Sequence, residues 1–202
     1  MKSILLSLAS AALLSGCAST GGPGNPLPPS AATVLQAASA LRPPSGGYLQ
    51  VSRTDQTRWN RGDTLSWSIA LPGAPATLSL SDRPARGSVR FADGKTTSIR
   101  GIAKTLAADS EEPGVKAWLA SDGRLMVAVH LSYTAEVSEG IFSIRDGKSD
   151  QYLTQEYSTQ MDGSAKISRS FHSANGDVIA ASTESISSFS SHDFLEDWKT
   201  VR

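Results

Sequence analysis

One cysteine, Cys17, stands in 202 residues. A single thiol closes no intrachain disulfide and builds no cysteine-based zinc ribbon or iron–sulfur site. The fold must therefore rest on its core. Charge of one sign is missing as well: 19 basic residues balance 19 acidic ones. That leaves no basic stripe for nucleic acid and no charge excess that points to a polyanion or a membrane surface. No apolar run approaches the roughly 20 residues of a spanning helix. Histidine is scarce, and His130, His172 and His192 stand alone. They form no His-x-x-x-His pair and no cluster with acids, so no metal or other cofactor is assigned. A phosphate-binding loop and a Gly-x-Ser-x-Gly elbow are both missing, and no catalytic residue is assigned.

What is present begins with the leader. Lys2 precedes a short apolar stretch, Ser3 to Leu14, that closes on the small residues of Leu14-Ser15-Gly16-Cys17. A basic start, a short apolar run and small residues at the end are the marks of a signal peptide. The last four residues resemble the lipobox of bacterial lipoproteins. The resemblance covers about 17 residues and implies cleavage before Cys17, with acylation (palmitate among the acyl groups) of its thiol and freed amine. Two or more acyl chains anchor a protein stably, whereas one binds only marginally. The family rule for the residue after the cysteine, here Ala18, implies the outer membrane, with the domain on its periplasmic face. The partner implied by the anchor is the lipid bilayer.

Three segments follow from this reading. Residues 1–16 are the signal peptide. Residues 17–46 are the acylated cysteine and a Pro/Gly-rich tether, Thr20 to Ser30, too polar and broken to bury a core. Ser30 as a cap, Val34, Leu35, Ala38 and Leu41 at helical spacing, and Pro43-Pro44 as a stop admit a short helix within it. Residues 47–202 are a single β-rich domain, and about 155 residues suffice for one core.

In that domain alternation replaces helical spacing. Leu65, Trp67, Ile69 and Leu71 alternate with Thr64, Ser66, Ser68 and Ala70. Leu125, Val127, Val129, Leu131 and Tyr133 make the strongest apolar face. Asp93-Gly94, Asp122-Gly123, Asp146-Gly147, Asp162-Gly163 and Asn175-Gly176 separate such runs and suit type I′ hairpin turns. The expected fold is all-β: an antiparallel meander of about ten strands closing as a barrel or sandwich, with the barrel favoured for its short sequential connections. A transmembrane barrel does not fit, because the second face is mostly Ser, Thr, Lys and Gln. Strands are expected near 47–53, 64–71, 76–81, 87–92, 96–106, 115–120, 124–134, 136–145, 151–160, 164–173 and 177–187. Ser191, the acids after it, and Phe194, Leu195 and Trp198 on one face predict a short C-terminal helix.

Candidate binding residues are few. Trp118 falls opposite Val115, Ala117 and Leu119 and is either covered by a second sheet or exposed as an anchor for a partner. Tyr152 and Tyr157 would join such a surface. His130 lies with Met126 and Ala128 opposite the apolar face and meets a ligand only if that face lines an interior. His172, on a polar face, is expected at the surface. Ser191, His192 and Asp193 are neighbours whose side chains diverge, so they start a helix rather than form a triad. Asp109-Ser-Glu-Glu112 reads as a solvated loop and Arg61-Gly62-Asp63 as a turn. The expectation for function is a non-catalytic, membrane-anchored domain that binds another envelope component, in all expectation a protein; inhibitors and immunity proteins belong to this class. The alternative is a structural or assembly accessory of an outer-membrane or secretion complex. A hydrolase ranks below both.

Overall fold

Period-two stretches become strands, and the strands pair with their sequence neighbours. The computed structural model describes residues 36, 41, 47–55, 62–106, 112–133, 136–159 and 162–186. The leader, Cys17, nearly all of the 17–46 segment and the helix expected at 191–199 lie outside the described residues. Among the described residues, eleven strands form two antiparallel sheets. The first sheet runs β1 (Val51–Arg53), β2 (Thr64–Ile69), β3 (Ala76–Asp82), β4 (Ala85–Arg90) and β5 (Thr96–Ser98). The second holds β6 (Gly114–Leu119), β7 (Leu125–Tyr133), β8 (Glu136–Arg145), β9 (Lys148–Thr159), β10 (Ala165–His172) and β11 (Val178–Ile186). Each is a plain meander, and neither closes into a barrel.

The expected strand at 96–106 stops early. β5 ends at Ser98, and Gly101 turns into the left-handed region at φ 81°. A one-turn helix, α1 (Ile102–Thr105), follows. It buries Ile102 and Leu106 against the first sheet's inner face and interrupts what would otherwise be one continuous meander. Only glycine fits at 101. A Cβ there would lie 2.3 Å from the Tyr152 ring, and left-handed backbone disfavours any side chain.

One core cluster joins the two sheets. Leu65, Trp67, Ile69, Leu78, Leu80 and Val89 of the first sheet meet Leu125, Val127, Val129, Leu131, Phe142 and Ile144 of the second. The alternation of β2 and β7 thus turns one side of each strand inward. A second cluster lies on the other face of the second sheet: Trp118, Met126, Ala128, Ile141, Leu153, Tyr157 and Phe171, with Leu41 from the preceding segment. The middle of the second sheet is therefore buried on both faces, and β7 reads Leu-Met-Val-Ala-Val for that reason, whereas the edge strand β11 leaves Val178 and Ile179 exposed.

The hairpin turns differ from the expected type. Positive φ at both central residues occurs only at Asp146-Gly147, with φ 51° and 70°. Arg145 and Lys148 pair directly around it, giving a two-residue loop. At the other four dipeptides the glycine alone has positive φ. Gly94, Gly123 and Gly176 each donate to the carbonyl three residues back, at 3.0, 2.9 and 2.9 Å. This is a type I turn closed by a left-handed glycine, the three-residue hairpin. The aspartates have a separate task in three of the loops. Asp93, Asp122 and Asp162 accept the N–H two residues on, from Lys95, Arg124 and Ser164.

Candidate functional site

Pairing register assembles a surface that no single strand displays. Ser66, Ser79, Ser88 and Ser98 stand directly opposite one another across β2, β3, β4 and β5. Beside them runs Ser52, Ser68, Thr77, Arg90 and Thr96, and on the other side Thr64, Ser81 and Arg86. These are the outward positions of the first sheet. Every one is Ser, Thr or Arg, and none is a carboxylate. Strand spacing of about 4.8 Å sets the hydroxyls at regular intervals, and those of Ser66 and Ser79 lie 3.2 Å apart.

A groove of about 440 Å³ opens over this face, lined by Ser79, Ser81, Arg86, Ser88, Thr96 and Ser98. Leu80 and Ile99 with Gly101, Ile102 and Ala103, from the turn into α1, add an apolar side to its lining. Arg86 and Ser98 are exposed. Ser81 is only 2 % exposed, yet its hydroxyl has no hydrogen-bond partner among the described residues. Hydroxyls both donate and accept, whereas a guanidinium offers five donors in a fixed fork and accepts nothing. The set is suited to a polar ligand rich in acceptors.

The sequence-predicted residues lie elsewhere. Trp118, Tyr157 and His130 share the outer face of the second sheet, and Tyr152 points the other way, into the core between the sheets. They form no exposed anchor surface, and of the two alternatives for Trp118 the structure shows the covered one. Trp118 is fully buried, and Tyr152 and Tyr157 nearly so. Trp118 Nε1 donates to the Leu41 carbonyl at 3.0 Å, so Leu41 helps to cover it. Tyr48 packs edge-on against its ring at 5.8 Å, with Lys116 Nζ above Tyr48. His130 begins a polar row through this largely apolar face. It stands opposite Glu139, then Gln155, Arg169 and Ser182 on successive strands. Arg169 Nε donates to Gln155 Oε1 at 2.6 Å, and its Nη1 pairs with Glu184. Glu139 and Gln155 are buried. Such a row fixes strand register, because a slip by one residue would bury each charge against a wrong partner.

His172 is not at the surface. It is 1 % exposed and stacks on Tyr152, ring centroids 4.4 Å apart and planes 8° from parallel. Its Nδ1 lies 3.3 Å from the Gly176 carbonyl. Burial, aided by the Lys104 charge, holds the imidazole below its usual pKa against the opposing pull of that carbonyl. Burial raises the Tyr152 phenol, against the Arg100 charge. Arg100 ties this seam shut. Its N–H donates to Ser149 Oγ at 3.2 Å and its guanidinium to the Asn175 carbonyl at 2.7 Å.

Among the described residues no group of three or more His, Cys, Asp or Glu is arranged to hold a metal ion. The groove residues were missed at the level of sequence. Their signal was the polar half of the alternation in β2 to β5, and Arg86 and Arg90 within it. Comparison with protein-family models, curated proteins and solved structures finds no match to this chain.

Proposed function

We propose that this chain is a lipid-anchored protein of the bacterial envelope whose β domain is a non-catalytic binding module. In this reading the two sheets form a sandwich with a short C-terminal helix beside it. Cys17 carries the acyl chains, and the tether holds the module off the periplasmic face of the outer membrane. The module engages another envelope component through the outer face of the first sheet. The observation that supports this is the groove beside Arg86. It is concave, it has the volume of a small-ligand site, and its polar groups converge on space that the protein itself leaves unfilled. The second sheet's outer face is the weaker candidate because its own cluster, with Leu41, already buries it.

The test is capture from envelope extracts with the full chain and with a Ser98→Trp variant. Ser98 lies on the exposed edge strand β5, where an aromatic residue suits strand geometry, and the indole would fill the groove. A component retained by the natural chain and lost by the variant is the expected result. Identical capture by both would remove the first sheet as the binding face.

A further inference from the structure

We propose that the groove on the first sheet takes an acidic oligosaccharide, with Arg86 holding an acid group and the serine rows holding sugar hydroxyls. This rests on the binding reading above and names the ligand class.

The argument begins with what the arginines do. Arg53 pairs with Asp55 and Glu112, Arg124 with Asp122, Arg145 with Asp122 and Asp150, and Arg169 with Glu184. Each sits against at least one carboxylate. Arg86 and Arg90 are different: both are exposed on the hydroxyl face, and neither has an ion-pair partner among the described residues. The neighbouring acid Asp82 is turned to the Gly62 N–H at 2.8 Å. Charge is balanced over the chain, yet it is segregated here, and the outward positions of β1 to β5 carry cations only. A fork of guanidinium donors recognises a planar acid group by paired hydrogen bonds.

Next to Arg86 is Ser81, directly opposite it on β3. Its hydroxyl lines the groove and has no hydrogen-bond partner among the described residues. A ligand hydroxyl or acid oxygen seated against Arg86 would give it one. The row Ser79, Ser88, Ser98 then extends away from the charge, offering one donor–acceptor per strand. A single inorganic anion would leave that row and most of about 440 Å³ unused. A neutral sugar would leave Arg86 unused and would find no aromatic ring to stack on, because the groove lining contains none. Single-stranded nucleic acid also relies on such rings. A chain of hydroxylated, acid-bearing sugars uses Arg86 and the serine row together, and its C–H faces can lie on the apolar side of the groove, Leu80, Ile99 and Ile102.

The experiment is titration calorimetry on the full chain in detergent. The probes are alginate and chondroitin 4-sulfate hexasaccharides, with maltohexaose as the neutral match. Either acidic probe is expected to bind, with affinity falling as salt rises, and maltohexaose is not. Arg86→Ala should weaken binding at least tenfold. Arg86→Lys should restore only part of it, since an ammonium is a point charge without the fork. Arg86 is exposed, so both variants should keep the natural thermal melt, and the melt is recorded alongside. Failure of both acidic probes, equal binding of maltohexaose, or unchanged binding by Arg86→Ala would each overturn the inference. If Ser98→Trp still abolishes capture from extracts while the acidic probes fail, the binding face stands and only the ligand class falls.

Discussion

At the scale of single residues, the seam between the sheets is set by close contacts that tolerate little change. Gly101 is the clearest case, because a Cβ there would overlap the Tyr152 ring and occupy left-handed backbone. Gly101→Ala should cost at least the ~1–2 kcal/mol of that backbone conformation, read as a lower urea midpoint. An unchanged midpoint would show that the ring does not sit beneath residue 101. His172, stacked on that ring, predicts a pH dependence. Its folded pKa is depressed by burial, while the unfolded value stays near 6.5. Between those two values the unfolded chain binds a proton and the folded chain does not. Stability is therefore full above about 7 and falls as pH drops from about 6.5 toward the folded value. His172→Phe keeps the stack and should flatten that part of the Tm–pH curve. The same slope in the variant would assign it to another group. Neither the burial of His172 nor that of Trp118 was legible in the sequence. Both lie on strand faces whose local neighbours are mostly polar or mixed, and what covers them comes from distant parts of the chain.

At the scale of elements, the hairpins show how one dipeptide serves two backbone tasks. Asp146 itself adopts positive φ and makes no hydrogen bond with its side chain among the described residues. Asp122 keeps ordinary φ and holds the loop with its carboxylate, which takes the Arg124 N–H and both the Arg124 and Arg145 guanidiniums. The Arg124 contacts, first of all its side-chain hydrogen bond, lower the Asp122 pKa. The same substitution should thus act in opposite directions. Asp146→Gly relieves ~1–2 kcal/mol of left-handed strain against ~0.4–1 kcal/mol of added chain entropy, a neutral or stabilising change. Asp122→Gly removes the carboxylate and should destabilise. Parallel thermal melts of the two variants check this, and a loss of equal size in both would refute the distinction. The dipeptides marked the loops correctly, since turn chemistry is local. Their turn type was misread, because loop length depends on how the flanking strands register.

At the scale of the whole molecule, the two sheets have unequal fates. The second sheet is covered on both sides in its middle strands, and the first presents hydroxyls and arginines outward. Leu41 joins the cluster of Trp118, Met126 and Leu153 on the covered face, and its carbonyl takes the Trp118 indole N–H. If Cys17 carries the anchor, Cys17→Ser should move the protein from the membrane pellet to the soluble fraction. Its melting temperature should stay unchanged, because the two core clusters among the described residues are built from positions between Leu41 and Ala180. Retention of the variant in washed membranes would remove the lipid anchor from the proposal.

The sequence by itself determined the all-β class, the meander order and the sites of the turns. Period-two alternation and Asp-Gly or Asn-Gly loops act over a few residues, so they survive in the linear chain. The tertiary structure alone decided that the meander splits at Gly101 and α1, that His172, Trp118 and both tyrosines are covered, and that four serines and two arginines share one open face. Alternation states which side chains of a strand point together. What lies opposite them depends on pairings between residues far apart in the chain, and those decide which face meets a core and which meets a groove.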